Sequence, residues 1–147
     1  MKLRDVTVDG WLYEEIEIGD SASIEKTLSE SDVYNFAGII GDFNVAHVNA
    51  EHSKGNRFGK RIAHGALVSA LISTVIGMKL PGEGCLYVSQ NSKFVKPTFF
   101  GDTLKATCTV IEKDPVKKRI KMETRVVKAD GTTVLVGEAV VLPKSKE

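Results

Sequence analysis

Between Gly65 and Leu80 the chain carries Ala66, Leu67, Val68, Ala70, Leu71, Ile72, Val75, Ile76 and Met78, and the polar face they leave is no wider than Ser69, Ser73 and Thr74. A helix that is apolar on nearly all sides is expected to be buried on nearly all sides. Such a chain must therefore wrap its remaining residues around that helix. The wrapping material is extended. Residues 85–95 read as one long strand, and Leu104, Ala106, Cys108 and Val110 alternate with Thr103, Lys105, Thr107 and Thr109. Ile120, Met122 and Val126 alternate with Lys121, Glu123 and Arg125, and Asp130-Gly131 marks a tight hairpin into a strand from Thr132 to Leu142. Period-two alternation is the signature of a half-buried strand, and a run of such strands after one buried helix predicts an α+β fold with an antiparallel sheet curled around the helix. One helix cannot cover both faces of that sheet, so pairing with a second copy is expected.

The first half of the chain positions chemistry. Residues 11–18, marked by Trp11, Tyr13, Ile16 and Ile18, and residues 22–28 read as short strands. Ser29 followed by Asp32 is a capping-box variant, and Val33, Phe36, Ala37 and Ile40 recur at helical spacing up to Gly41, a natural helix terminator. Residues 42–63 read as loop with a helical turn near 50–54, and Pro81-Gly82-Glu83-Gly84 closes the long helix.

The 147 residues fit one domain, 1–147, able to bury a core without disulfides or metal. Lys and Arg (20) balance Asp and Glu (19) with no basic block among aromatics, which argues against nucleic acid as a partner. Cys85 and Cys108 fall in strand patterns and read as reduced core residues. The stretch 65–77 is shorter than the roughly 20 residues of a membrane helix, and Met1–Asp9 has no apolar run that would make a secretory signal. A cytoplasmic protein that makes no use of a membrane is expected.

Just past Gly41 lies Asp42-Phe43-Asn44-Val45-Ala46-His47. Alone, Asp42 is as readily a turn former, Asn44 a turn residue and His47 a packed imidazole. Jointly, a carboxylate and an imidazole on one short loop can hold a single water, one removing a proton as the other delivers one. Water adds to a double bond when an adjacent carbonyl absorbs charge, and the His64-Gly65 helix start offers free amides for that oxygen. Gly65 reads equally well as a packing glycine. Three histidines, the scattered carboxylates and the two cysteines make no metal signature, and His47 and His52 lack the i, i+4 spacing. Arg57, Lys60 and Arg61 are candidates for carrier phosphates or for a solvated loop.

Gly41-Asp42-Phe43-Asn44 with His47, preceded by Tyr34 and followed by His64-Gly65, resembles the hydratase 2 motif of the MaoC-like, R-specific enoyl-CoA hydratases, over roughly residues 11–142. The resemblance implies a hot-dog fold, a homodimer or higher homo-oligomer, no cofactor, and reversible syn hydration of a trans-2-enoyl-CoA thioester. By position it implies Asp42 and His47 as the acid–base pair, Asn44 orienting their loop, the Gly65 amide in the oxyanion hole, and Ser73 and Ile76 lining the acyl pocket. Val45 stands where the family usually has proline, which predicts a less rigid loop. Competing readings are a hot-dog acyl-CoA thioesterase, an acyl-carrier-protein dehydratase and a noncatalytic acyl-CoA-binding module.

Overall fold

The computed structural model describes residues 5–146; the first four residues of the stretch read as lacking a secretory signal lie outside it, as does residue 147. Five strands, β1 (Ser21–Thr27), β2 (Leu86–Phe94), β3 (Thr103–Asp114), β4 (Arg119–Lys128) and β5 (Thr133–Leu142), form one antiparallel sheet in the order β1-β3-β4-β5-β2. Before the long helix come α1 (Glu30–Ile40) and two single-turn helices, α2 (Val45–Val48) and α3 (Ala50–Ser53). The long helix itself is α4 (Gly65–Met78).

The sheet presents the alternation seen in the sequence. Leu104, Ala106, Cys108 and Val110 of β3, Ile120, Met122 and Val126 of β4, and Leu135, Ala139 and Val141 of β5 are buried. They close on Val68, Leu71, Ile72, Val75 and Ile76 of α4 in one apolar cluster. At roughly 1.5–3 kcal/mol for each fully buried large aliphatic side chain, this contact is the main apolar force holding the helix. Both cysteines are free, and burial pushes the Cys108 thiol up to about 12.

Helix α1 starts and stops as its residues predict. Ser29 Oγ accepts from the Asp32 amide at 3.0 Å, Asp32 Oδ2 accepts from the Ser29 amide at 2.9 Å, and Gly41 ends the helix at φ +79°. The β4–β5 turn has Gly131 at φ +89°.

Three expectations are corrected. Residues 11–18 are not a strand: Tyr13–Glu15 is a 3₁₀ turn, and Leu12 makes only an isolated bridge to Lys144. Tyr13 and Ile16 are buried three residues apart while Glu14 and Glu15 face solvent, a helical spacing. Lys113 Nζ caps that turn by donating to the Tyr13 and Ile16 carbonyls at 2.9 and 2.5 Å. Residues 42–63 contain two short helices where one helical turn was expected. Finally, α4 is not buried all round. Ala66, Ala70, Ser73, Thr74, Gly77 and Met78 form an exposed face in the single chain.

Candidate functional site

The site is assembled where the end of α1, helix α2 and the start of α4 meet. Gly41 turns the chain out of α1, and two side-chain turns then shape the next residues. Asp42 Oδ1 accepts the Asn44 amide at 3.1 Å, and Asn44 Oδ1 accepts the Ala46 amide at 3.0 Å. Asn44 is thus the cap of α2, the helix that carries His47. Val45 occupies the first helical position, where a free N–H is tolerated and proline is merely pre-organised. Asn49 repeats the device for α3, accepting the His52 amide at 2.9 Å.

His47 Nδ1 lies 2.7 Å from the Ile62 carbonyl oxygen. A carbonyl only accepts, so Nδ1 carries the hydrogen and the neutral ring leaves Nε2 with a free lone pair. That nitrogen faces Asp42 Oδ2 at 4.0 Å. The separation is too long for a direct hydrogen bond and suits one bridging water. The His47 side chain is 13 % exposed and that of Asp42 47 %.

A third side chain belongs here. His64 is 2 % exposed; its Nε2 donates to the Asp42 carbonyl at 3.0 Å. Its ring stacks on that of His47 with centroids 3.8 Å apart and 27° between planes, and meets the edge of Phe36 at 5.1 Å. His64 Nδ1 is buried with no hydrogen-bond partner among the described residues. The sequence marked His64 only as the residue before Gly65. A polar ring entering a buried helix was the available signal, since buried polar groups usually serve a partner.

Asp42, His47 and His64 bring ligand atoms within 4.8 Å of one another. They suit an ion poorly: His47 Nδ1 and His64 Nε2 are engaged by carbonyls. Two nearly parallel stacked rings also do not aim lone pairs at one point about 2.0–2.1 Å from each nitrogen.

At the start of α4 the Leu67 and Val68 amides bond to the His64 carbonyl. The Gly65 and Ala66 amides make no hydrogen bond among the described residues. Gly65 also serves packing, because a Cβ there would stand 3.1 Å from the Phe94 ring. Beside it opens a cavity of about 400 Å³ lined by Ile62, Ala63, Gly65, Val68, Phe94 and Thr98, with Arg57 and Lys96 also in its wall. Neither Ser73 nor Ile76 lines this cavity. Ser73 is on the exposed face of α4, and Ile76, 1 % exposed, is in the core.

The cationic residues before the helix separate by partner. Arg61 Nη1 donates to Glu30 Oε1 at 2.7 Å and to the Tyr34 hydroxyl, and Lys60 Nζ sits 4.2 Å from the Phe99 ring centre. Arg57 and Lys96 have no ion-pair partner among the described residues.

A sheet wrapped on one central helix is the hot-dog fold, and a carboxylate and a lone-pair imidazole facing each other beside that helix's start can together move protons. The MaoC like domain model matches residues 15–132, and the chain belongs to that family. It is 47% identical over 130 residues to an (R)-specific enoyl-CoA hydratase of Rhodospirillum rubrum, covering 88% of this chain and 90% of that one. It is 38% identical to a 3-hydroxybutyryl-CoA dehydratase of Methylorubrum extorquens, covering 92% and 86%. The unliganded R-hydratase PhaJ1 of Pseudomonas aeruginosa superposes with a TM-score of 0.88 at 39% identity, over 93% of this chain and 88% of that one.

Replacing Asn44 by Ala removes the α2 cap. Urea unfolding should show a loss of about 1 kcal/mol, accompanied by a fall in turnover because His47 rides on that helix.

Proposed function

We propose that the chain, a single hot-dog domain over 1–147, is an (R)-specific enoyl-CoA hydratase, adding water syn across the double bond of a trans-2-enoyl-CoA to give the (R)-3-hydroxyacyl-CoA, and reversing the reaction. The observation that carries this reading is the lone pair of His47 Nε2 facing the Asp42 carboxyl over 4.0 Å, near the Gly65 amide, which makes no hydrogen bond among the described residues.

In the hydration direction His47 Nε2 takes a proton from the bound water, and the resulting hydroxide oxygen bonds to C3. The C2–C3 π electrons move toward the thioester oxygen, where the Gly65 amide and the positive end of α4 hold the enolate-like charge. Protonated Asp42 delivers the hydrogen to C2, and the proton on His47 returns to Asp42 through water. Both proton carriers lie on the same side of the substrate, which gives syn addition. The bound substrate covers the Asp42 side chain, 47 % of which is exposed in the single chain. Asn44 keeps the loop in register, and the acyl tail enters the cavity beside Gly65, against Ile62, Val68 and Phe94.

Asp42→Asn and His47→Gln should each slow the loss of the conjugated thioester absorbance of crotonyl-CoA by about 10²–10⁴-fold with unchanged circular dichroism. Wild-type turnover in both variants would remove the assignment.

Arg57 and Lys96 are in the wall of the cavity beside Gly65, and they are the cations free to meet the carrier's phosphates. Replacing both with Ala should raise KM for crotonyl-CoA and leave the pantetheine thioester unaffected. An equal loss on both substrates would exclude phosphate recognition.

The functional unit is a homodimer. Strand β2 ends the sheet with Leu86, Tyr87, Val88 and Phe94 exposed, and α4 has an exposed face of its own. An unprotected apolar edge of this kind invites a second strand. Sedimentation should give twice the chain mass, and Val88→Asp should shift it toward one chain. Free thiols at Cys85 and Cys108 accord with a reducing cytoplasm, and no helix among the described residues is long and apolar enough to cross a membrane.

A further inference from the structure

Residues 61–64 are threaded between the two halves of the site, and each of the four ties down a different neighbour. Arg61 reaches Glu30 and Tyr34 on α1. The Ile62 amide donates to the Ala46 carbonyl at 3.0 Å, and the Ile62 carbonyl receives His47 Nδ1–H at 2.7 Å. The Ala63 amide donates to the Thr98 carbonyl at 2.8 Å, and His64 Nε2 donates to the Asp42 carbonyl at 3.0 Å. The backbone of this strap therefore decides which nitrogen of His47 carries hydrogen, while Arg61 decides where the strap lies against α1.

The Arg61 contacts are built rather than incidental. Glu30 and Tyr34 are four residues apart, so they share one face of α1, and one guanidinium nitrogen serves both. The guanidinium carbon lies 4.8 Å from the Phe100 ring centre and 5.8 Å from that of Tyr34. Its side chain is 20 % exposed. The Arg61 hydrogen bond holds the Glu30 carboxyl below its usual range, and hydrogen bonding to Glu30 raises the Tyr34 hydroxyl. Helix α1 ends at Ile40, two residues before Asp42, so the same clamp fixes the approach of the carboxylate. With its charge already matched, Arg61 is not a phosphate ligand.

We infer that Arg61 is a positioning residue: by joining Glu30 and Tyr34 of α1 to Phe100, it fixes the Ile62 carbonyl that holds His47 in its Nδ1–H tautomer and keeps Nε2 open to water. Lysine replaces it only in part: an ammonium can donate to both oxygens from its one nitrogen, but it has no planar guanidinium to lie over the Phe100 ring at the same time.

The inference rests on the hydratase reading for its kinetics but has a readout independent of turnover. Arg61→Ala, Arg61→Lys, Glu30→Gln and Tyr34→Phe would be compared with wild type by steady-state kinetics on crotonyl-CoA and by imidazole nitrogen NMR of His47. Arg61→Ala is expected to lower kcat on the order of 10- to 100-fold, the scale of a displaced catalytic group. KM should change less than about threefold, because no substrate-binding group is removed. Arg61→Lys should recover only part of the loss. The NMR spectrum should change from one Nδ1–H tautomer to a mixture, and Glu30→Gln should add little to Arg61→Ala. A wild-type tautomer and kcat in Arg61→Ala would overturn the inference. If Arg61→Ala does not fold, a wild-type tautomer and kcat in both Glu30→Gln and Tyr34→Phe would overturn it equally. Should wild type fail to hydrate crotonyl-CoA, the hydratase reading falls while the tautomer comparison still decides the role of Arg61.

Discussion

Burial of one side of α4 against β3, β4 and β5 is the contact on which everything else depends. Val68, Leu71, Ile72, Val75 and Ile76 are locked into the sheet, so the start of the helix cannot rotate or slide without opening the core. His64 and Gly65 are therefore delivered to the site by packing far along the same helix. Close-packed interiors transmit position faithfully because they have little free volume. The loop that carries Asp42 and His47, by contrast, is built from hydrogen bonds: two Asx-type turns, the second of which caps α2, and the backbone of residues 61–64. A rigid apolar element and an adjustable polar one meet at the Asp42 carbonyl.

What could be read in advance was what is encoded locally. The capping box of α1, its glycine stop and the alternation of β3, β4 and β5 all depend on residues within a few positions of one another. The failure at 11–18 has the same origin in reverse. Trp11, Tyr13, Ile16 and Ile18 have strand-like composition, yet Lys113, about a hundred residues away, takes up the carbonyls and stabilises a turn. Composition could not report a partner so distant.

The site was half legible for similar reasons. Asp42, Asn44 and His47 lie within six residues, and their spacing alone suggested a shared water. His64 acts through Asp42, His47 and Phe36, none of them a sequence neighbour. Arg61 looked like any loop cation until its Glu30 and Tyr34 partners were seen. The outer face of α4 misled because small residues such as Ala66 and Ala70 count as apolar whether they meet a sheet or lie open. A sequence read as one chain cannot say which of those apolar surfaces a single copy leaves uncovered.

The contact between Gly65 and Phe94 has an evolutionary corollary. With the ring 3.1 Å from where a Cβ would stand, a larger residue at position 65 requires the Phe94 ring to give way by a few tenths of an ångström. Position 94 is under no such restriction, as its side chain is 53% exposed. Descendants of this chain can reshape the neighbouring chamber by trading that phenyl group for a smaller one, while the glycine amide stays fixed in place. Adaptability and invariance are thus assigned to opposite sides of one van der Waals contact.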